Sequence, residues 1–361
     1  MLINKVCIAL RTRLWMKSLL KSILATVFYS VAVGAFFVPQ EVARLRNEPR
    51  MLSTDCVAVP DGSAIISISL AFVDSPTKSV AIRRSIMQSL VNNQTPPQFF
   101  LPEVNTTCVA LDPLGGRAFL GSADGAIFSA DLKAIDKPPN RLGFSHGFYP
   151  TQMACSSDRK TLFVLDNETL SMWDMVTWPE APHWRVLATN ISCFAISPDS
   201  KLAYYSQTRG AHTHVIEHNV SNGQSRPLTE QSDRTSETLL LSANARYIAG
   251  LNGFGGIVLL KHSSEEDKWL PYALPFLCDN TSALIAFAPQ ASILITTADK
   301  SHRLIAWDLD RQEILQEFDI HEGKFLGCCF LTENRFLTWS CEGNKFVWDL
   351  RSKTPVRELR Q

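Results

Sequence analysis

Seven short apolar segments recur along residues 52 to 361, and each closes on a small or turn-forming residue. The closing residues are Pro60, Pro113, Ser157, Pro198, Ala243, Pro289 and Thr332, so successive steps are 53, 44, 41, 45, 46 and 43 residues. A period of about 40 to 50 residues that holds several short strands is typical of a β-propeller. One small sheet leaves apolar faces exposed, so neighbouring sheets must cover them. The repeat therefore predicts an all-β fold, a seven-bladed β-propeller of four-stranded antiparallel blades.

Length and composition fit one such ring. Seven repeats need about 300 residues, which is nearly all of the chain after residue 50. Lys plus Arg equals Asp plus Glu at 35 each, so no overall charge attracts nucleic acid, and we expect no such partner. Six of the nine cysteines lie in the recurrent segments without the paired spacing of a zinc site, which indicates buried free thiols.

An uncharged apolar stretch, residues 22 to 38, predicts one hydrophobic helix before the propeller. Five basic residues precede it: Lys5, Arg11, Arg13, Lys17 and Lys21. Counted from Leu19 the stretch has 20 residues and includes Lys21, whose long side chain can reach the membrane surface, and this length is just enough to cross a bilayer. A cleaved signal peptide, a retained membrane anchor and a buried helix all remain open.

The chain is thus divided into residues 1–38 as signal peptide or single transmembrane anchor, 39–51 as a tether, and 52–361 as the propeller. The signal peptide and the membrane anchor are the two leading interpretations, and they make the protein exported or membrane-anchored, respectively. They place the propeller outside the cytoplasm, because a basic flank stays inside. Arg44, Arg46 and Arg50 on the far side weaken that rule.

The last repeat shows the expected strands most clearly, at residues 326–331, 335–340, 345–350 and 355–360. Each run is short, rich in β-branched or aromatic residues, and bounded by turn signals. The second repeat reads in the same way, with strands at residues 117–121 and 126–132. The fourth strand of the last blade therefore comes from the carboxyl-terminal end of the chain.

A Trp-Asp pair ends the third strand of repeats three, six and seven, as Trp173-Asp174, Trp307-Asp308 and Trp348-Asp349. This pattern resembles the WD-repeat (WD40-like) β-propeller family, which carries its Trp-Asp pair at that position. The resemblance covers residues 52–361 and is eroded elsewhere. Repeats one, four and five are expected to end this strand in Ile82-Arg83, Ile216-Glu217 and Leu259-Leu260. Another number of blades is the alternative.

The resemblance also implies a buried network in the last blade, which would join His321, Ser340, Glu342 and Trp348. We expect these residues and the Trp-Asp pairs to be structural. A Trp whose ring packs between blades and whose N–H meets a buried partner holds the sheets together. No catalytic site is assigned to them.

Two other groups are weaker candidates for a site. His212, His214 and His218 are clustered, and alternate strand residues share a face, so one interpretation is a metal site and the simpler one is a strand with histidines that bind no ligand. Residues 178–184 form an aromatic, proline-rich loop in which Trp178 and Trp184 are possible partner contacts.

The chain has no P-loop lysine, no GxSxG elbow and no HExxH helix, and we expect no cofactor. The leading hypothesis is a non-catalytic scaffold that binds a protein or peptide through propeller loops, as the WD-repeat resemblance implies. The alternative is an extracytoplasmic enzyme or small-ligand binder that uses the central channel. A structural part of an envelope complex is a third hypothesis.

Overall fold

The structure is a computed structural model, and it describes residues 52–75, 78–89, 98–100, 105–134, 137–145, 148–177, 183–209, 212–228, 236–252, 257–274, 285–290, 292–298, 303–319, 325–340, 344–352 and 354–359. The chain divides into two units, Met1–Arg50 and Met51–Gln361. The predicted hydrophobic helix and tether lie outside the described residues. Within the ranges given above, no helix has the length and apolar character that a membrane span needs.

The described part of the chain forms seven four-stranded sheets, and every pair of neighbouring strands is antiparallel. Within each sheet the strands lie in sequence order, so we speak of its first to fourth strand. The first three sheets are β1 Leu52–Ala58, β2 Ala64–Ser75, β3 Lys78–Ser89 and β4 Gln98–Phe100; β5 Thr106–Leu111, β6 Arg117–Ser122, β7 Ala126–Asp131 and β8 Asn140–Phe144; β9 Pro150–Cys155, β10 Thr161–Asp166, β11 Thr169–Asp174 and β12 Trp184–Thr189.

The remaining four sheets follow the same order. They are β13 Ile191–Ile196, β14 Leu202–Arg209, β15 His212–Asn219 and β16 Ser225–Pro227; β17 Ser236–Leu241, β18 Tyr247–Asn252, β19 Ile257–Ser263 and β20 Lys268–Pro271; β21 Ile285–Phe287, β22 Ile293–Ala298, β23 Arg303–Asp308 and β24 Glu313–Asp319; β25 Phe325–Phe330, β26 Arg335–Ser340, β27 Lys345–Asp349 and β28 Arg357–Leu359. The strands predicted for repeats two and seven are confirmed to within two residues at each end.

The sheets close into a ring. Each first strand contacts the first strands of the sheets before and after it, and β1 contacts β25 of the last sheet. Because the strands alternate in direction, connections from first to second and from third to fourth strands emerge on one face, which we name the AB face. Connections from second to third strands, and from one sheet to the next, emerge on the opposite BC face.

The first sheet departs from the other six. Its β2 and β3 have 12 residues each, whereas the strands of the other sheets have three to eight. Among the described strands, the outer part of this hairpin pairs only with itself, since β1 begins opposite Leu70 and β4 pairs with Ser85 to Met87. The predicted seven-bladed ring is corrected accordingly: the described strands form six regular four-stranded blades and a first sheet of different form. The extra hairpin residues help to explain the 53-residue first step.

The core lies between sheets, as the stacking of amphipathic sheets requires. Trp173 packs against residues of the second sheet, including Ile127 and Leu142. Trp307 packs between the fifth and sixth sheets and Trp348 between the sixth and seventh. Each of these indole rings thus covers the apolar face of the preceding sheet. Of the six first-strand cysteines, Cys56, Cys108 and Cys193 are buried and the other three are partly buried.

Backbone pairing locates the Trp-Asp position in the repeats that lack the pair. In the third sheet Thr161, the first residue of the second strand, pairs with Asp174. In the first, fourth and fifth sheets the equivalent residues, which accept the same turn hydrogen bond, are Ala64, Leu202 and Tyr247. Their partners on the third strand are Ser89, Asn219 and Lys261, respectively. The predicted third-strand ends were therefore wrong, and the corresponding pairs are Gln88-Ser89, His218-Asn219 and Leu260-Lys261. Without a Trp, apolar runs do not determine the register of a hairpin.

Candidate functional site

The tryptophans of the Trp-Asp pairs are held by buried hydroxyl groups. Trp348 Nε1 donates to Thr338 Oγ1 at 2.8 Å, and Trp307 Nε1 donates to Thr296 Oγ1 at 2.9 Å. Both threonines lie two residues beyond the partner of the Trp on the second strand. The acceptor in the last blade is therefore Thr338 rather than Ser340. The network's other expected members, His321 and Glu342, lie outside the described residues.

In the third sheet the indole N–H of the Trp has a different acceptor. The position equivalent to Thr338 is Val164, which has no hydroxyl group. Trp173 Nε1 instead donates to Ser171 Oγ on its own strand, at 3.1 Å. A buried indole N–H without an acceptor is costly. Where the threonine is absent, Ser171 supplies the hydroxyl acceptor from a neighbouring position.

The aspartates of the pairs cap the turns that follow them. Oδ1 of Asp174 accepts the backbone N–H of Val176 at 2.8 Å, and Oδ1 of Asp349 accepts that of Arg351 at 3.0 Å. Asp308 accepts the N–H groups of Asp310 and Arg311 in the same way. These carboxylates shape the connection from third to fourth strand on the AB face.

All three candidate metal ligands lie on β15 in the fourth sheet. His218 occupies the position of the Trp and is 6% exposed. Its Nδ1 shares a hydrogen bond of 2.8 Å with the Ser225 hydroxyl, and burial, assisted by Arg185, lowers its pKa. His218 therefore packs between sheets. Within the described ranges no three His, Cys, Asp or Glu side chains, His212 and His214 included, form a group that can hold a metal ion.

Of the two candidate contact tryptophans, Trp178 lies outside the described residues. Trp184 begins β12, the outer strand of the third sheet, and is 45% exposed. Val186 on the same strand is also exposed. This pair gives the rim of the third sheet an apolar edge.

The BC face carries a cavity of about 350 Å³ where the third and fourth sheets meet, which we name the BC-face cavity. Its lining includes Phe148, Tyr149, Leu165, Asn167, Glu168 and Ile191. Phe148 and Tyr149 lie in the connection from β8 to β9, Leu165 lies near the end of β10, Asn167 and Glu168 form the turn to β11, and Ile191 begins β13. Phe148 and Tyr149 remain 54% and 47% exposed, and Phe144 nearby in sequence is 53% exposed. The cavity therefore has an aromatic, solvent-facing border.

Hydrogen bonds hold the backbone around this cavity in place. The Ser145 hydroxyl donates to the carbonyl of Phe148, and Thr107 Oγ1 donates to the carbonyl of Pro150 at 2.6 Å. Ile191 N donates to the carbonyl of Glu168 at 2.9 Å, which links the third sheet to the fourth. The exposed side chains thus project from a backbone that is bonded on both sides of the cavity.

The turn that carries Glu168 is unusual. Asp166 pairs with Thr169, so Asn167 and Glu168 form a two-residue turn, and both have positive φ, 38° and 63°. Such turns favour Asn-Gly, because a side chain with a Cβ is strained at positive φ. Asn167 suits its place, whereas Glu168 does not. Strain of this kind is concentrated at functional sites.

Glu168 also determines the charge of the cavity. It is the only charged residue among the described residues that line it, and its side chain is exposed. Within the described ranges no Lys, Arg or His forms an ion pair with its carboxylate, although ion pairs occur elsewhere on the same ring. The cavity therefore combines aromatic surface with one negative charge.

A larger cavity, of about 520 Å³, lies on the AB face between the second and third sheets. Its lining includes Arg117, Asp131, Arg141 and Met175. The charges are mixed, and Oδ1 of Asp131 already accepts the backbone N–H of Lys133 at 2.8 Å. This groove favours no ligand class as clearly as the BC-face cavity does.

Sequence reasoning did not identify Phe148, Tyr149 or Glu168. The signal was present in part: an aromatic pair precedes Pro150 in a connection between repeats, and a Glu follows Asn167 in a short turn. Their convergence depends on the pairing of β9 with β10, which places Pro150 opposite Asp166 and so brings Phe148 and Tyr149 beside the turn that carries Glu168.

No protein-family model matches the chain, and no curated protein matches it by sequence. Solved structures do match the fold. The β-propeller domain of Cps50 (Swd1) from Myceliophteria thermophila has a TM-score of 0.65 at 11% identity, over 82% of this chain and 96% of that one. Hydrazine synthase from Kuenenia stuttgartiensis has a TM-score of 0.59 at 14% identity, over 84% of this chain and 96% of that one. These identities show the fold alone, and by its fold the chain is a β-propeller.

Proposed function

We propose that this protein is a non-catalytic interaction scaffold that binds a protein or peptide partner on its BC face. The observation that carries the proposal is the pair of half-exposed aromatic side chains, Phe148 and Tyr149, beside a cavity whose backbone is hydrogen-bonded. Aromatic residues are enriched at the centre of protein interfaces, where a few anchors supply most of the binding free energy.

The ring suits this role for a physical reason. Sheets packed face to face hold their loops at defined positions, and binding residues concentrate on loops that a rigid framework supports. Ordering the site before the partner arrives reduces the entropy cost of binding. The WD-repeat resemblance points the same way, since that family works largely as scaffolds.

The test compares three forms of the full-length chain in cells that naturally produce it. Chemical crosslinking followed by mass spectrometry identifies partner peptides joined to residues of the BC face. We expect the wild type to capture a partner there and the double variant Phe148→Ala, Tyr149→Ala to lose most of that signal. A matched control is Leu114→Ala, which removes an exposed apolar side chain, 75% exposed, from the AB face.

Leu114→Ala should retain the captured partner. Equal capture by all three forms, with crosslinks away from the BC face, would show that the aromatic border is not the docking surface. Thermal unfolding of each purified variant separates loss of binding from loss of folding.

We further propose that the propeller is held outside the cytoplasm, as an exported or membrane-anchored protein. The support is the uncharged stretch of residues 22 to 38 behind five basic residues. Amino-terminal sequencing of protein from separated membrane and soluble fractions tests this. A mature chain that begins near residue 35, or an intact chain in the membrane fraction, is expected; an intact chain in the cytosol would contradict the proposal.

A further inference from the structure

We infer that the BC-face cavity receives an arginine side chain of the partner, with Glu168 as its counter-ion and Phe148 and Tyr149 as its stacking surface. The inference rests on the proposed function and adds the chemistry of the contact. It follows from charge, ring surface and backbone strain at one place on the propeller.

The charge of the BC-face cavity indicates what kind of side chain it can bind. Glu168 is the only charge among the described lining residues, and no described cation pairs with it. A carboxylate beside apolar surface gains more from a cationic partner than one in open water, because binding excludes solvent from the pair. The complementary ligand is therefore a cation.

The aromatic border narrows the class of cation. The faces of Tyr and Phe attract a cation placed over the ring, and Arg is found there more often than Lys. The planar guanidinium stacks on rings and pairs with a carboxylate through two parallel N–H donors, whereas the ammonium of Lys is compact and strongly hydrated. Phe148, Tyr149 and Glu168 together offer both contacts. A volume of about 350 Å³ is near the lower end for ligand cavities, which suits one long side chain.

Backbone strain gives the third, independent step. Glu168 sits at φ 63° in a turn where Gly is strongly preferred. The turn's carbonyl is bonded to Ile191 N, so the strained residue is held at the cavity rather than free to relax. Its carboxylate caps no backbone N–H among the described residues, unlike those of Asp174 and Asp349. The turn thus holds the exposed carboxylate at the border of the cavity, beside Phe148 and Tyr149.

The experiment uses a random peptide display library selected on the full-length chain. The best peptide is then synthesised, and its Kd is measured by titration calorimetry for the wild type, Glu168→Gln and Leu114→Ala. We expect an arginine in the selected peptides. Glu168→Gln, or citrulline in place of that arginine, should weaken binding about tenfold or more, because a charge-assisted hydrogen bond is lost. Leu114→Ala should leave the Kd unchanged.

The outcomes separate this inference from the function on which it rests. Peptides that need Phe148 and Tyr149 but carry no arginine, or that bind Glu168→Gln as tightly as the wild type, overturn the arginine assignment and leave the scaffold intact. Lysine in place of arginine overturns it as well. Peptides that bind the Phe148→Ala, Tyr149→Ala variant undiminished overturn both the inference and the proposed docking surface.

Discussion

At the scale of single residues, the buried indole N–H groups of three blades each require a hydrogen-bond acceptor. Trp307 and Trp348 donate to threonines at equivalent positions of the second strand, and Trp173 uses a serine on its own strand. The rings are 0 to 2% exposed, so water does not substitute for these acceptors. The requirement is therefore for a hydroxyl within reach, and not for one residue type at one position.

The first prediction removes one such acceptor. Thr338→Val keeps the side-chain shape but leaves the N–H of Trp348 without this bond. We expect the free energy of unfolding to fall by about 1 to 3 kcal/mol. Urea unfolding monitored by tryptophan fluorescence measures it. Thr354→Val, on an exposed turn, is the matched control and should change stability little; equal effects of both substitutions would contradict the role given to Thr338.

The second prediction concerns His218, which stands where other blades carry Trp. Burial lowers its pKa below the usual 6.5, so below pH 6.5 the unfolded chain binds a proton that the folded chain resists. The free energy of unfolding should therefore decrease as the pH falls through the window below 6.5. His218→Gln, which cannot titrate, should reduce this dependence. Thermal midpoints between pH 7.5 and pH 5 test it, and identical pH profiles for both proteins would refute it.

At the scale of elements, the backbone hydrogen bond that closes the turn from first to second strand recurs in more sheets than the Trp-Asp pair does. Ser156, Ser197 and Ser242 each accept the backbone N–H at the start of the second strand, at 2.9 Å. Two residues later an Asp or Asn accepts the serine hydroxyl, as Asp158 and Asp199 do, and this bond lowers the pKa of both carboxyls. Blades that lost the tryptophan thus keep their hairpin register through the turn.

The third prediction addresses the strained turn of the third sheet. Glu168→Gly creates an Asn-Gly turn, which accepts positive φ at both positions. We expect the free energy of unfolding to rise by roughly 1 kcal/mol because the strain is relieved. Partner binding should fall, because the carboxylate is lost.

Glu168→Gln is the control, since it removes the charge and keeps the Cβ. Its stability should equal that of the wild type within about 0.5 kcal/mol. Chemical unfolding of the three proteins gives the comparison. A glycine variant less stable than the wild type would show that the turn carries no strain.

At the scale of the whole molecule, closure depends on the contact between the first and last sheets. Cys56 and Ile65 of the first sheet share a core with Leu337 and Val347 of the last. Within this interface Lys345 is 1% exposed, and its Nζ donates to the Ser67 hydroxyl at 3.2 Å. A buried ammonium is costly, and burial lowers its pKa from the usual 10.5.

The fourth prediction replaces both polar partners at this closure. The double variant Lys345→Met, Ser67→Ala should raise the free energy of unfolding at pH 7 by about 1 kcal/mol or more, because a buried charge is exchanged for apolar packing. In the wild type the unfolded chain binds more protons than the folded chain below pH 10.5, so stability should rise as the pH approaches 10.5. The variant should lose that rise.

Ser67→Ala alone tests the same interface from the other side. It removes a hydroxyl acceptor from a buried ammonium, so we expect it to destabilise the fold. A double variant that unfolds at a lower urea concentration than Ser67→Ala would show that Lys345 stabilises the ring.

The period of the first strands was sufficient to predict an all-β ring, because each repeat leaves apolar faces that only another repeat can cover. The turns and strands of repeats two and seven were also predictable, since Asp-Gly and Glu-Asn signals bound them. Register was predictable where a tryptophan or an Asp-Gly turn marked it; Ile82, Ile216 and Leu259 were assigned to the wrong places. The long hairpin of β2 and β3 was not foreseen, since its residues follow no repeat.

The amino-acid order alone determined the repeating strands, the buried tryptophans and the aspartate-capped turns, because those features depend on neighbours within one hairpin or one sheet. The cavity at Phe148, Tyr149 and Glu168 came from the pairing of β9 with β10 and from the packing of β13 beside them. The strand pairing brings together residues that are about 20 positions apart, and the sequence pattern did not show that this turn and this connection meet. Contacts between blades depend on how the sheets pack, and only the folded ring sets which loops meet.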